Sequence, residues 1–321
     1  MHRRTFVRQL AAAAPLWLSS SGLGKPSGLD LSQLTSSTAS LSGLSFEDAL
    51  KKIRELGFGG VEILTFSGDT HSIGPIPGVV VADLNKIEKK RLRSLVDKFR
   101  HVSTHLPFRG LRPVAADPAI RKATLDRLHQ AIDDSAFWGA TMAVLHVAPE
   151  PGKTYEQLWP DLLSVFRELG DHAARFNLRL GIETGAPNTV KEYLDLIRDL
   201  KHDYVGGTVD TGHTRLYRAD IQVADADRAT PHGQKRYNDV MMQKVEGLGR
   251  KLFHFHVDDV RPTDWREHRA LGTGLVDWQR LLSYLARTGY KGMFAAELEE
   301  SPPVEHLQRS RQVFGEWLKG L

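Results

Sequence analysis

The 321-residue sequence contains no cysteine. That absence excludes disulfide staples, thiolate zinc sites, iron–sulfur clusters and cysteine nucleophiles together. Long apolar runs are missing too. The longest, Leu10 to Leu18, has nine residues, about half of what a membrane-crossing helix needs. No Gly-rich phosphate loop follows an early strand, and no low-complexity tract lies beyond the first 28 residues. Nor does one charge dominate: 43 Lys and Arg stand against 39 Asp and Glu, a formal +4. What remains is a folded chain, 41% hydrophobic and long enough to bury most of the surface its unfolded form exposes. Its chemistry has to come from carboxylates, imidazoles or hydroxyls.

The first residues read differently from the rest. Arg3-Arg4-Thr5-Phe6 precedes an Ala-rich stretch to Leu18, and a run dominated by Ser and Gly follows to Gly28. A basic start, a short apolar segment and a small-residue run describe an export signal. The paired arginines with Phe6 resemble the twin-arginine type, whose pathway carries folded proteins. Residues 1–28 are therefore expected to be a cleaved signal, with no A-x-A site to mark the cut. Residues 29–321 are expected to form a single domain, exported and periplasmic, with no membrane contact after signal removal. Three of the four excess positive charges, Arg3, Arg4 and Arg8, lie in the leader. The mature chain is nearly neutral and gives no electrostatic reason to expect a nucleic-acid partner.

From Leu44 onward short apolar strands alternate with helical patterns, the signature of a parallel sheet. Ser45 opens a helix with Phe46, Ala49, Leu50, Ile53 and Leu56 on one face, and Gly57 is placed to end it. Residues 61–64 follow as a strand. The cycle then repeats: helix 85–99 and strand 102–106, helix 117–138 and strand 142–147, helix 160–176 and strand 178–183. Thr189 and Glu192 form a capping-box signature for the next helix, which runs to Leu200 ahead of strand 205–210. Helix 234–248 precedes strand 252–257. Asp277 caps a helix that Gly289 closes, and strand 293–298 and a helix near 304–318 follow. Seven strands are clear, and an eighth is weakly marked between Leu29 and Ala39. Eight such units close a (β/α)8 TIM barrel. A doubly wound open sheet is the rival, but its phosphate loop is missing. Two connections, 67–84 and 214–233, exceed ordinary loop length, and such loops are usually functional lids or disordered segments.

A barrel gathers its active site at the C-terminal strand ends. Six strands end in a metal-capable side chain: His105, His146, Glu183, Asp210, His256 and Glu297. An uncompensated charge after an apolar run is costly, so six at equivalent places point to one shared site. Two glutamates, an aspartate and an imidazole suit a divalent cation: Mn2+, Mg2+, Co2+ or Zn2+. His213, three residues after Asp210, reads as a ligand or as a donor to substrate. Glu62 interrupts its strand in the middle and reads as a structural group or a substrate contact rather than a ligand. His254 is assigned to the barrel interior, and Glu299 and Glu300 to solvent.

The segments LSFEDALKKIRELGFGGVEI, LGIETG, VDTGH, HFHVDD, LGTGLVDW and GYKGMFAAELE resemble those of the xylose isomerase-like TIM barrels. That superfamily holds sugar and sugar-phosphate isomerases and epimerases together with the endonuclease IV type of DNA-repair enzyme. The resemblance runs from about Leu44 to Leu318. It implies that Glu183, Asp210, His256 and Glu297 hold the metal, Mn2+ first among the candidates. It also implies that Glu183 and Glu297 are the acid–base pair and that His213 binds substrate. A metal held by a sugar's carbonyl and neighbouring hydroxyl stabilises the enediolate left when a C–H proton departs. One glutamate removes that proton and the other returns it. The expected function is a metal-dependent sugar or polyol isomerase or epimerase, with a small-molecule carbohydrate or polyol as partner. A keto-sugar or keto-inositol dehydratase or lyase on the same machinery is the nearest alternative. Homodimers and tetramers are frequent among the relatives, so a homo-oligomer is compatible, although no interface is marked.

The DNA-repair branch implies a different use of the same residues. Its three-metal cluster also recruits histidines matching His105, His146 and His268. It carries an aspartate two residues before the last of these, where this chain has Arg266, with Glu267 as the only substitute. The near-neutral charge and the leader argue further against duplex DNA. In the sugar reading, His105, His146, His268 and Glu62 become candidate substrate contacts. The epimerases also carry an arginine shortly after the strand-seven histidine; Arg261 and Arg266 both stand near that place, neither in clean alignment, and Arg261 is taken as the candidate contact. The 214–233 insertion is expected to overhang the site. A non-catalytic sugar-binding barrel would keep the pocket without needing the metal.

Overall fold

Local signals start each helix where its neighbours in sequence permit. Ser45, Asn85, Asp117, Thr154, Thr189, Thr230 and Asp277 each turn a side-chain oxygen onto a free backbone N–H of the first turn, which satisfies a donor that the helix itself cannot. Gly57, Gly249 and Gly289 take positive φ just past helix ends, where a Cβ would be strained. Between these stops and starts lie the strands.

The computed structural model of the chain describes residues 28–71 and 73–321. Residues 1–27 of the expected export signal lie outside the described residues. In chain order the elements are β1 (Leu34–Ser37), α1 (Phe46–Glu55), β2 (Gly60–Leu64), β3 (Thr70–His71), β4 (Gly74–Pro75), α2 (Lys86–Val96) and β5 (His101–His105). Next come α3 (Pro118–Phe137), β6 (Met142–Leu145), α4 (Tyr155–Ala174), β7 (Arg179–Glu183), α5 (Val190–Leu200) and β8 (Val205–Asp210). The chain continues through α6 (Arg218–Ile221), α7 (Pro231–Leu248), β9 (Leu252–Val257), α8 (Trp278–Thr288), β10 (Met293–Ala296) and α9 (Pro303–Lys319).

Eight of the strands form a closed parallel barrel in the order β1-β10-β9-β8-β7-β6-β5-β2. The weakly marked eighth strand is β1, which closes the ring by pairing with both β10 and β2. This is the single-domain (β/α)8 barrel that the alternation implies. The outward faces of the strands and the inward faces of the helices share one apolar core, in which Trp138, Phe166, Tyr193, Phe255 and Phe294 are buried. Among the described residues no helix is long and apolar enough to cross a membrane.

The two long connections part company. In 67–84 the strands β3 and β4 pair as a small antiparallel hairpin, and His71 and Ile76 line a cavity at the barrel mouth. The 214–233 segment does not overhang that cavity, contrary to expectation. Its Tyr217, Ile221 and Val223 are buried, and the Tyr217 hydroxyl accepts the Gly185 N–H just past β7 at 3.1 Å. Arg236 of α7 holds it there through the carbonyls of Asp220 and Ile221 (2.7 and 3.1 Å).

Candidate active site

The barrel register does most of the assembly. Asp210 is paired with His256 across β8 and β9, and Glu183 lies opposite Thr208. Glu297 follows β10 directly. Parallel strands of matched length therefore bring together residues that are 27, 46 and 41 positions apart in sequence. Glu183, Asp210, His256 and Glu297 each place a ligand-capable atom within 4.8 Å of the others. His256 Nδ1 lies 2.9 Å from Glu297 Oε2, 3.3 Å from Glu183 Oε1 and 3.8 Å from Asp210 Oδ2.

These residues fit a divalent cation. Both Glu183 oxygens, Asp210 Oδ2 and His256 Nδ1 are buried without a hydrogen-bond partner, a costly state for a carboxylate unless a cation compensates it. Three carboxylates and an imidazole form a hard-to-borderline donor set. The carboxylates are also held ionised. Burial pushes Glu183 up, yet the neighbouring charges of His146, His256 and His213 keep it well below the usual range. Burial likewise acts against Glu297, which His256 and His268 hold down at about 2. His213 is pushed down by burial but lifted to about 10 by Asp210, Glu183 and Glu297.

The Glu183 carboxylate is divided between two sets of imidazoles. Its Oε1 faces His213 Nδ1 (2.9 Å) and His256 Nδ1. Its Oε2 faces His146 Nε2 (3.0 Å) and His105 Nε2 (3.4 Å). His105, His146 and Glu183 thus form a second donor group, and Asp210, His213 and His268 a third. His213 is pinned by its backbone N–H, which donates to Asp210 Oδ1 at 2.7 Å.

Above the charged floor lies a cavity of about 190 Å3. His105, His146, His213 and His268 line it, as expected of substrate contacts, while Leu64, Phe66, Ile76 and Phe108 form an apolar wall. Phe108 stands edge-on to Phe66, with ring centroids 5.8 Å apart. Glu299 is not left to solvent. It reaches His71 of the hairpin at 3.3 Å and also lines the cavity. Glu300 is half-buried and accepts from Arg269 and the Ala270 N–H.

Two expected substrate contacts lie elsewhere. Arg261 is exposed and paired with Asp264 in its own turn, because an acidic residue three positions away captures it locally; it does not line the cavity. Glu62 has no exposed surface and sits beneath the site, bonded to His254 and facing His256. Glu267 is paired with Arg215.

Two further groups carry no signal in the sequence. Asp258 is fully buried and accepts the His268 N–H (2.7 Å) and the Gly212 N–H (3.3 Å), tying together the two loops that carry His213 and His268. Lys244 is buried below the Asp210–His213 turn, donating to Thr214 Oγ1 at 2.9 Å with its Nζ 4.0 Å from the Tyr217 ring centroid. Burial pushes its ammonium down to about 7 despite the opposing pull of Asp210 and Asp220.

A family model described as xylose isomerase-like TIM barrel matches residues 50–319. An uncharacterised protein of Methanocaldococcus jannaschii is 23% identical over 286 residues, covering 86% of this chain and 85% of its own. Among solved structures, a D-tagatose 3-epimerase-like protein superposes with a TM-score of 0.67 at 21% identity, covering 89% of this chain and 97% of that one. An L-ribulose 3-epimerase superposes with a TM-score of 0.65 at 17% identity, covering 89% and 94%. At these identities the likeness to solved structures speaks for the fold.

Proposed function

The chain belongs to the xylose isomerase-like TIM barrel family, and from that premise we propose that it is a metal-dependent sugar or polyol isomerase or epimerase. One observation carries the reading. Two ionised glutamates, Glu183 and Glu297, meet an aspartate and an imidazole at the floor of a cavity. The likeness to a D-tagatose 3-epimerase-like protein and an L-ribulose 3-epimerase supports the same class.

Glu183, Asp210, His256 and Glu297 would hold the divalent ion, Mn2+ being our first candidate. When bound, it supplies positive charge that stabilises the anion left by a proton departing next to a carbonyl. The protein's own groups do the rest. Glu183 and Glu297, from β7 and the end of β10, both approach His256 Nδ1 (3.3 and 2.9 Å); one removes the carbon-bound proton and the other returns a proton. His213, charged in this setting, donates to a substrate oxygen. The apolar wall of Leu64, Phe66, Ile76 and Phe108 shields the exchanged proton from water. We also place the mature protein outside the cytoplasm, on the leader's sequence.

The test is turnover of ketoses and keto-polyols by metal-loaded protein, alongside Glu183→Gln and Glu297→Gln. Each variant should lose activity by about 10²- to 10⁴-fold while keeping the wild-type fold by circular dichroism. A wild type that takes up no divalent metal would overturn the mechanism.

A second reading has its own observation in the donor groups built around His105 and His146 and around His268. Three such groups are what a three-metal phosphodiesterase of the endonuclease IV type needs. Against it, the aspartate expected two residues before His268 is missing: Arg266 occupies its place, and Glu267 is held by Arg215. Elemental analysis decides between them, since one ion per chain supports the isomerase and three zinc ions the phosphodiesterase.

A further inference from the structure

We propose that Glu62 is a positioning residue that fixes the tautomer of His256 and so presents its Nδ1, unprotonated, to a divalent ion. The inference rests on the metal-dependent reading above and adds a residue that does not touch the cavity.

Glu62 lies on β2, and His254 and His256 on β9, with β1 and β10 between them in the ring. The contact therefore crosses the barrel interior. His254 and His256 are two apart on one strand and point to the same side. Each turns its Nε2 to a different oxygen of the one carboxylate: His254 hydrogen-bonds Oε2 at 2.9 Å, while His256 approaches Oε1 to 3.0 Å without hydrogen-bond alignment. Ser103 Oγ donates to Oε2 at 3.1 Å. All four side chains are fully buried.

An ionised carboxylate only accepts, and a ring lone pair set 3.0 Å from its oxygen would be repelled, so this close approach favours the form of His256 with its hydrogen on Nε2. In the neutral ring the lone pair is then on Nδ1, the atom that faces Glu183, Asp210 and Glu297. Histidines that bind metals commonly give their other ring N–H to a carboxylate, which fixes the tautomer and ring orientation. His254 and Ser103 have a complementary task. They occupy Oε2 and prevent Glu62 from turning away, so a single anion holds its geometry without water. The mid-strand glutamate is thereby explained: no apolar residue at position 62 would leave the His256 N–H a partner.

The experiment measures tautomer and affinity separately from turnover. Long-range 1H–15N NMR on the Zn2+-loaded wild type should show His256 with its proton on Nε2; a proton on Nδ1 overturns the proposal without any variant. Chelator competition with Mn2+ should then show Glu62→Gln weakened about 10- to 100-fold, since an amide offers His256 a donor as readily as an acceptor. Glu62→Asp, which keeps the charge, should recover part of that loss. Glu62→Gln binding Mn2+ as tightly as wild type overturns the role of Glu62 while leaving the metal reading intact. A wild type that binds neither Mn2+ nor Zn2+ overturns both.

Discussion

Removing the Asp258 side chain is the sharpest test of how the site is held together. Its carboxylate accepts from two backbone donors, His268 N at 2.7 Å and Gly212 N at 3.3 Å. Asp258→Ala leaves both without a partner, Gly212 N in the buried interior and His268 N part-buried beside the cavity. A stranded buried donor costs about 1–3 kcal/mol, and the longer Gly212 bond belongs at the low end, so the sum is about 3 kcal/mol. Asp258→Asn keeps one oxygen for His268 N and should lose about 1 kcal/mol. In a chain of this size the alanine variant should unfold about 4–5 °C earlier. Calorimetry gives the temperatures and urea titration the free energies. The Asp258→Ala variant should also show raised KM, because the loops carrying His213 and His268 are no longer tied. If it unfolds at the wild-type temperature, the carboxylate is not the clamp inferred from the geometry.

Other consequences are open to measurement. Lys244, with its ammonium at about 7 in the fold against 10.5 ordinarily, binds fewer protons folded than unfolded between those values. Its contribution to stability therefore rises with pH from about 7 to about 10.5 and is lost as pH falls through that window. Lys244→Met should flatten this slope in urea titrations across that range; an unchanged slope would show that Lys244 folds charged. Phe108→Ala opens the apolar wall and should raise KM more than it lowers kcat, which steady-state kinetics on any accepted sugar will check. Arg3→Lys combined with Arg4→Lys should retain the protein in the cytoplasm, as fractionation would reveal, and undiminished export would refute the twin-arginine reading.

The barrel was legible because its period is local. Each strand followed by an amphipathic helix leaves an apolar rhythm, and caps such as Ser45, Asn85 and Asp277 mark the boundaries. Two errors have local causes as well. The helix expected to begin at Pro160 begins at Tyr155, because Thr154 and Gln157 form the capping box and Pro160 is tolerated inside. β1 was faint because its Thr35, Ser36 and Ser37 are buried polar residues, so no apolar run announces it. The four metal-candidate residues were readable for the same reason as the strands, each standing at a strand end. What sequence could not convey are contacts across the ring. Glu62 is 192 positions from His254, and Asp258 is hidden beside Asp259 in HVDD. Arg261 failed in the opposite sense: proximity in sequence suggested reach to the substrate, and Asp264 claims it first.

The divided Glu183 carboxylate has a consequence for redesign. Because one oxygen serves the His213 and His256 side and the other the His105 and His146 side, no substitution at this position can be confined to either half. Effects of Glu183 changes should combine non-additively with changes in all four histidines. An engineer altering reactivity therefore has separable handles only at the periphery. His105 and His146 can be exchanged as a pair to reshape one half, and His213 can be varied in the other, while position 183 acts as a common pivot that any new chemistry on this barrel must inherit.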